Sequence, residues 1–311
     1  MVSTTKADSR AEQSARGTAI RIAVAQRIPP QDDDVSPIQD LVTTAVQASG
    51  AELLVVPELF PIGVRQHYAD LKTLAESAER WAELVGAVAT TAHMAIVAGY
   101  PELAADGSVY DSVMFVDEFG RMRANYRKLH LFGDELPAFT PGNAPPPVFD
   151  WHGWRVGLAI CYDIEFPETG RMLADQGADL VCVPAGNPVG YREVPTVLVP
   201  ARACENQMFV AYANYCDFDG TADYDGHSIV VGPNGAILAE ADSTTAQILW
   251  AELNPAALGV ARSKNSHLTD RRFRIYMAGA PRYYIDADSD TTDARRAAAI
   301  ESQASSSLAQ P

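Results

Sequence analysis

The segment GAELLVVP at 50–57 recurs as GADLVCVP at 177–184, and the fold follows from that repetition. Each copy has a strand-like apolar run upstream, RIAVAQ at 21–26 and RVGLAIC at 155–161. Downstream, MAIVAGY at 94–100 parallels MFVAYAN at 208–214, and DSVMFVDEFGRM at 111–122 parallels HSIVVGPNGAIL at 227–238. Short runs of β-branched and small apolar residues read as strands buried on both faces. The last pair reads as a hairpin in each half, with turn residues ahead of a glycine. Between the first strands lie helical patterns. One is SPIQDLVTTAVQASG at 36–50, where Ser36 can cap, Pro37 suits the first turn and Gly50 ends the helix; the other is ETGRMLADQG at 168–177. Each half is therefore a sheet with helices on one face, and the remaining apolar faces bury best against each other. The prediction is a four-layer α-β-β-α sandwich with an internal pseudo-twofold repeat. Two separate βα domains are the alternative, but no Gly/Ser/Pro linker divides the copies, and the Pro-rich stretch at 141–147 reads as a loop. One domain over 19–285 is expected, with 1–18 and 286–311 as flexible tails, the latter with room for a short helix at 293–302.

Composition narrows the function classes. The 311 residues are 47% hydrophobic and 21% charged, enough for a large core. A net charge of −16, dispersed along the chain, disfavours nucleic acid and anionic membrane surfaces as partners. The first eighteen residues have no apolar signal core and no later run reaches membrane-span length, so a cytoplasmic protein is expected. The four cysteines, Cys161, Cys182, Cys204 and Cys216, form no C-x-x-C pair, and the last three read as buried structural thiols. Six histidines occur without an H-E-x-x-H spacing, and DGHSIV at 225–230 lacks the final glycine of a serine nucleophile elbow. No metal and no cofactor is implied.

Ligands of α/β sheets gather at the carboxyl ends of strands. Glu58 stands at one such end, directly after Pro57. Cys161 stands at another, followed by Tyr162, Asp163 and a turn through Pro167 into a helix. A cysteine there meets backbone N–H groups able to stabilise a thiolate or an oxyanion, although most cysteines at random positions are simply buried thiols. The bland reading of Lys128 is a solvated charge beside Arg127, and that of Glu58 is a strand-end carboxylate.

Three segments resemble the signatures of the nitrilase (carbon-nitrogen hydrolase) superfamily, in its order Glu, Lys, Cys: PELF at 57–60, YRKLHLF at 126–132 and CYDIEFPE at 161–168. The resemblance runs from about residue 20 to 285 and includes ARACENQMFVAYAN at 201–214 and DRRFRIY at 270–276. It implies the same sandwich fold and a cysteine-dependent amide hydrolase. Cys161 would attack the carbonyl and Glu58 would carry the proton. Lys128 and the Tyr162 N–H would hold the oxyanion, and a thioester would form and be hydrolysed. GDELPAFTPG at 133–142 resembles the superfamily's E-x-x-x-F-x-P-G segment, which implies that Glu135 orients Lys128; Asp134 is the competing candidate.

The chain departs from the family pattern in two places. PELFPIGVRQHY lacks the tyrosine that often follows the loop glycine, and the cysteine precedes Tyr-Asp where true nitrilases have Trp-Glu. The second departure points to a small aliphatic or amino-acid amide as substrate. Nitrile hydrolysis, N-carbamoyl hydrolysis and acyl transfer are the rivals on the same fold, and a non-catalytic interaction module is the rival of a different class. Tyr162, Phe132 and Phe166 are expected to narrow the pocket. Asn187 reads equally as a substrate contact or as a turn former before Pro188. A homodimer or larger homo-oligomer is expected, with 168–200 and 270–285 at interfaces; this rests on the resemblance and on the aromatic and Arg-rich DRRFRIYMAGAPRYY.

Overall fold

The computed structural model describes residues 17–29, 44, 50–60, 62–63, 71–218, 220 and 222–279. Nearly all of the helix expected at 36–50, the tail after 286, most of 1–18 and the end of the 270–285 segment lie outside these residues.

Two six-stranded sheets carry the chain. The first has the order β14-β1-β2-β3-β4-β5, with β1 (Ile20–Gln26), β2 (Leu53–Val55), β3 (Ala95–Leu103), β4 (Val109–Val116), β5 (Met122–Arg127) and β14 (Gln247–Leu253). The second has the order β13-β12-β9-β8-β7-β6, with β6 (Val148–Trp151), β7 (Trp154–Leu158), β8 (Leu180–Pro184), β9 (Phe209–Ala213), β12 (Ile229–Val231) and β13 (Ile237–Glu240). In each sheet three parallel strands, β1-β2-β3 or β7-β8-β9, form the centre and the outer strands run antiparallel. The repeat read from the sequence is thus a repeat of topology. Both expected hairpins form, β4 with β5 and β12 with β13, and each carries a register shift, at Phe115/Val116 and at Val230/Val231. A ribbon of β10 (Cys216–Phe218) and β11 (Asp223–Asp225) stands apart.

Alternation along the strands sets the layers. In β1, Ile20, Ile22 and Val24 face the other sheet, where they join Leu53, Val55, Val97, Val156, Leu158, Leu180 and Phe209. Ala23 and Ala25 face outward with Leu54 and Val56 onto a helical layer. Fully burying each large aliphatic side chain is worth roughly 1.5–3 kcal/mol, so the inter-sheet seam is a principal source of cohesion.

The helices are α1 (Leu71–Leu74), α2 (Ala78–Ala92), α3 (Glu135–Ala138), α4 (Pro167–Asp175), α5 (Val199–Asn206), α6 (Ala256–Lys264) and α7 (Phe273–Gly279). Helix α2 begins where the Ser77 side chain accepts the Arg80 N–H and ends at left-handed His93. It lays Trp81, Val85, Val88 and Ala89, at helical spacing, on the first sheet. Helices α4 and α5 cover the second sheet through Leu173, Ala174, Val199 and Ala203. The four layers expected from the sequence are present. Cys182 and Cys216 are buried as expected, whereas Cys204 on α5 is only half-buried. No helix among the described residues is long and apolar enough to cross a membrane.

Candidate active site

Glu58 follows β2 in a tight turn whose Phe60 N–H donates to the Gly99 carbonyl at 3.1 Å. A side chain at residue 99 would stand 2.7 Å from the Leu59 nitrogen and 2.9 Å from the Glu58 Cα, so only glycine on β3 lets the turn come this close. The Glu58 N–H reaches the Ala185 carbonyl, at the end of β8, at 3.4 Å. Ala185 occupies the register of Glu58 in the repeat. Asn187, expected from the sequence as a substrate contact or a turn former, lies two residues beyond that equivalent position.

Lys128 lies just beyond β5 and is fully buried, which removes the solvated-charge reading. Its ammonium stands 2.5 Å from Glu58 Oε1, 2.8 and 2.7 Å from the two oxygens of Glu135, and 3.3 Å from Asp111 Oδ2. Arg127, its neighbour, turns away to pair with Glu102. Burial alone would discharge Lys128, but Glu135, then Glu58 and Asp111, outweigh it and hold its pKa well above the usual lysine range. Glu135 opens α3, where its Oε2 also accepts the Phe132 N–H at 2.9 Å. Burial pushes Glu135 up to about 7 against the pull of Lys128. Between the two acidic candidates of this loop, the structure places Glu135 on the ammonium and Asp134 at the cleft wall.

Asp111 was not singled out by sequence reasoning. It is fully buried with neither carboxyl oxygen in a hydrogen bond, and burial, followed by the charge of Glu58, raises its pKa well above the carboxylate range. The carboxylate oxygens of Glu58, Asp111 and Glu135 lie within 4.8 Å of one another, a donor set of the kind hard cations take. Here the Lys128 ammonium supplies the positive charge at that point.

Strand β7 ends at Leu158, and three residues later Cys161 opens a 3-10 turn, Cys161–Glu165, with φ of 42°. That left-handed backbone is costly for a residue with a Cβ and occurs where surrounding structure over-determines it. Asp163 provides much of this constraint. It is fully buried and accepts from the Tyr126 hydroxyl at 2.8 Å, the His130 N–H at 3.0 Å and the Ile160 N–H at 3.3 Å, with His130 Nδ1 at 2.7 Å. Tyr126 and His130 each lie two residues from Lys128, so one carboxylate ties the cysteine turn to the lysine segment. From the other side Arg202 of α5 grips the Ile164 and Glu165 carbonyls at 3.0 and 2.6 Å. Burial, then Glu58, pushes the Cys161 thiol well above its usual range, with Lys128 and the Gly186 N–H opposing.

Cys161 and Glu135 line a cleft with Phe132, Asp134, Tyr162, Glu165, Gly186, Asn187, Pro188 and Tyr191. Phe132 packs against Tyr162 and Tyr191, with ring centroids 5.1 and 5.6 Å apart. Of the expected pocket residues, Phe132, Tyr162 and Asn187 are on the wall. Phe166 lies behind it, stacked on His130 at 3.9 Å and edge-on to Tyr162 at 4.9 Å, and so supports Tyr162 instead of lining the cleft. Asn187 donates its side-chain N–H to the Tyr191 carbonyl at 3.0 Å and holds the wall's shape. Tyr212 of β9 was also missed: among the described residues its buried hydroxyl has no hydrogen-bond partner, and burial, then Cys161 and Glu165, push its pKa well above the usual range.

Comparison with known proteins agrees with this geometry. Residues 21–263 match the carbon-nitrogen hydrolase family. The chain belongs to that family. It is 40% identical to a protein described as the hydrolase in the pqqF 5' region of Pseudomonas protegens, over 83% of this chain and 90% of that one. It is 34% identical to the 2-oxoglutaramate amidase of Paenarthrobacter nicotinovorans, over 79% of this chain and 86% of that one. Among solved structures, a glutamate-to-glutamine mutant of the amidase from Nesterenkonia sp. AN1 superposes with a TM-score of 0.75 at 33% identity, covering 85% of this chain and 98% of that one. That crystal structure shows the acetamide moiety of fluoroacetamide added covalently to its active-site cysteine.

Proposed function

We propose that this carbon-nitrogen hydrolase converts small aliphatic or amino-acid amides to the carboxylic acid and ammonia through a thioester on Cys161. The observation that carries the reading is the division of labour on Glu58. Its Oε1 is held by Lys128 at 2.5 Å, while Oε2 is buried and accepts from no N–H among the described residues, an acceptor of fixed orientation in a low-dielectric site. A thiol whose pKa is raised by burial is protonated in the resting enzyme, so attack requires a base in place. Glu58 takes the thiol proton as sulfur bonds to the carbonyl carbon. The carbonyl oxygen gains negative charge between the Lys128 ammonium and the N–H of Tyr162, which lies in the first turn after Cys161, where helical N–H groups lack an intrahelical acceptor. Glu58 then gives its proton to the departing nitrogen, and ammonia leaves the thioester. Water, losing a proton to Glu58, attacks the thioester and restores the thiol. Glu135 keeps the lysine charged and in place. The covalent adduct on the cysteine of the Nesterenkonia amidase supports the nucleophile assignment.

The test is intact-mass analysis of acid-quenched turnover with butanamide, followed by peptide mapping. The expected result is a butanoyl adduct on Cys161. Ammonia release without any adduct on Cys161, matched by an active Cys161→Ala variant, would overturn the assignment.

A further inference from the structure

Glu165 ends the 3-10 turn that Cys161 begins, and it lines the same cleft. Among the described residues its carboxylate makes no hydrogen bond or ion pair. The two cations whose charge reaches it are already engaged. Lys128 is held among three carboxyl groups, and Arg202 by the Glu205 carboxylate at 3.1 Å and two backbone carbonyls. The remaining charges near it are negative: Glu193 acts on it, and Asp134 shares the wall. The rings of Phe132, Tyr162 and Tyr191 line the same cleft, set edge-on or tilted to one another. Aromatic faces and an unpaired carboxylate both favour a cation, and neither favours an anion.

We propose that this wall is a subsite for an ammonium group, so that the preferred substrates are amides whose acyl part carries a protonated amine, with Glu165 as the specificity-determining counter-ion. The inference rests on the amide-hydrolase reading and selects the amine-bearing class within it. Burial, then Glu193, pushes Glu165 up to about 7, and an entering ammonium favours the ionised form. The same wall disfavours the free carboxylate of a dicarboxylic acid monoamide.

The experiment compares kcat/KM at pH 8 for 3-aminopropanamide, its neutral isostere butanamide and the anionic succinamate, with wild type and Glu165→Gln. A parallel calorimetric titration measures the first two with Cys161→Ala. Hydrogen bonds to charged groups correspond to about tenfold or more in affinity, so wild type should prefer the ammonium substrate over butanamide by at least about that ratio. Glu165→Gln should bring the ratio towards one, and Glu165→Asp should recover part of it. Succinamate should be poorest. Butanamide turnover with no ammonium preference, or a Gln variant that keeps the full ratio, overturns the subsite and leaves the hydrolase reading standing. Tighter binding of 3-aminopropanamide to Cys161→Ala with no amide turnover in wild type would do the reverse.

Discussion

Asp111→Asn should stabilise the protein, and increasingly so as pH rises. One buried ammonium faces three carboxyl groups, and a net surplus of buried negative charge is avoided by keeping one of them protonated. Asp111, fully buried, accepting no hydrogen bond among the described residues and facing Glu58, is that group. Its folded-state pKa is raised above the unfolded value, first by burial and then by Glu58. In the sense of proton linkage, folding then takes up a proton at pH values between the ordinary carboxylate range and the raised folded pKa. The favourable state is fully present at low pH and its stability is lost as pH rises towards the folded pKa, at about 1.4 kcal/mol per pH unit. Asparagine has the same shape as the protonated acid and needs no proton, so the stability difference between variant and wild type should widen by about that slope from pH 5 upward. Glu135, at about 7, titrates in both proteins and largely cancels. Urea unfolding at pH 5, 6, 7 and 8 gives the difference directly, and turnover should persist within about tenfold because the neutral carboxyl is replaced by a neutral amide. A pH-independent difference, or an Asn variant less stable at every pH, would mean that Asp111 is ionised and paired with Lys128, and the charge assignment of the cluster would fail.

Cys161→Ala should lower ammonia release by roughly 10⁴-fold or more while thermal unfolding stays close to wild type, since alanine bears the same backbone strain at φ of 42° as cysteine; near-wild-type release would exclude the nucleophile. Propionamide should exceed propionitrile in kcat/KM, because an amide oxygen can occupy the place between Lys128 and the Tyr162 N–H from the outset whereas a linear nitrile develops charge on nitrogen elsewhere; a ratio favouring the nitrile refutes the amide preference and leaves the three-residue assignment intact. We also propose a homodimer or larger assembly, consistent with exposed Val189 and Val197 in 168–200 and exposed Phe273, Ile275 and Tyr276 on α7; a monomer mass by light scattering would remove it.

The sandwich was legible because its central strands repeat and because burial on both faces leaves continuous apolar runs such as LLVV and LVCV. Strand β14 was not identified, although QILWAEL alternates Leu249, Ala251 and Leu253 inward with Trp250 and Glu252 outward, the pattern of an edge strand covered on one face. At the site, Glu58, Lys128, Cys161 and Glu135 were legible from local segments. Asp111 was not, and the reason is a single bulge. Counting outward from the Val116–Met122 pair sets Asp111 opposite Arg127. The register shift at Phe115/Val116 moves Arg127 onto Ser112, and the Lys128 N–H then donates to the Asp111 carbonyl at 2.9 Å. One unpaired residue in a hairpin thus decides which acid meets the lysine. Asp163, Arg202 and Tyr212 depend on packing between distant segments, for which no local spacing speaks.

The repeat also shows why the Glu58 and Cys161 pair occurs once and not twice. The equivalents of Glu58 and Cys161 in the opposite copies are Ala185 and Arg27, read from the alignment of GAELLVVP with GADLVCVP and of RIAVAQ with RVGLAI. Glu58 and Ala185 meet at the junction of the two sheets, where Glu58 donates its N–H to the Ala185 carbonyl, and the charge of Glu58 in one copy acts on Cys161 of the other. Arg27, by contrast, is bridged to Tyr215, and the preceding Gln26 is fully buried, with its side chain bonded to Asp242, Thr245 and Ser228. The symmetric scaffold has two pairs of strand ends, and only one of them carries the glutamate and cysteine of the proposed site. Because Glu58 belongs to the first sheet and Cys161 to the second, their separation is set by the inter-sheet core of Val55, Leu158 and Ile160. Truncation of that seam therefore acts on chemistry as well as on stability, whereas truncation under the outer helices acts on stability first.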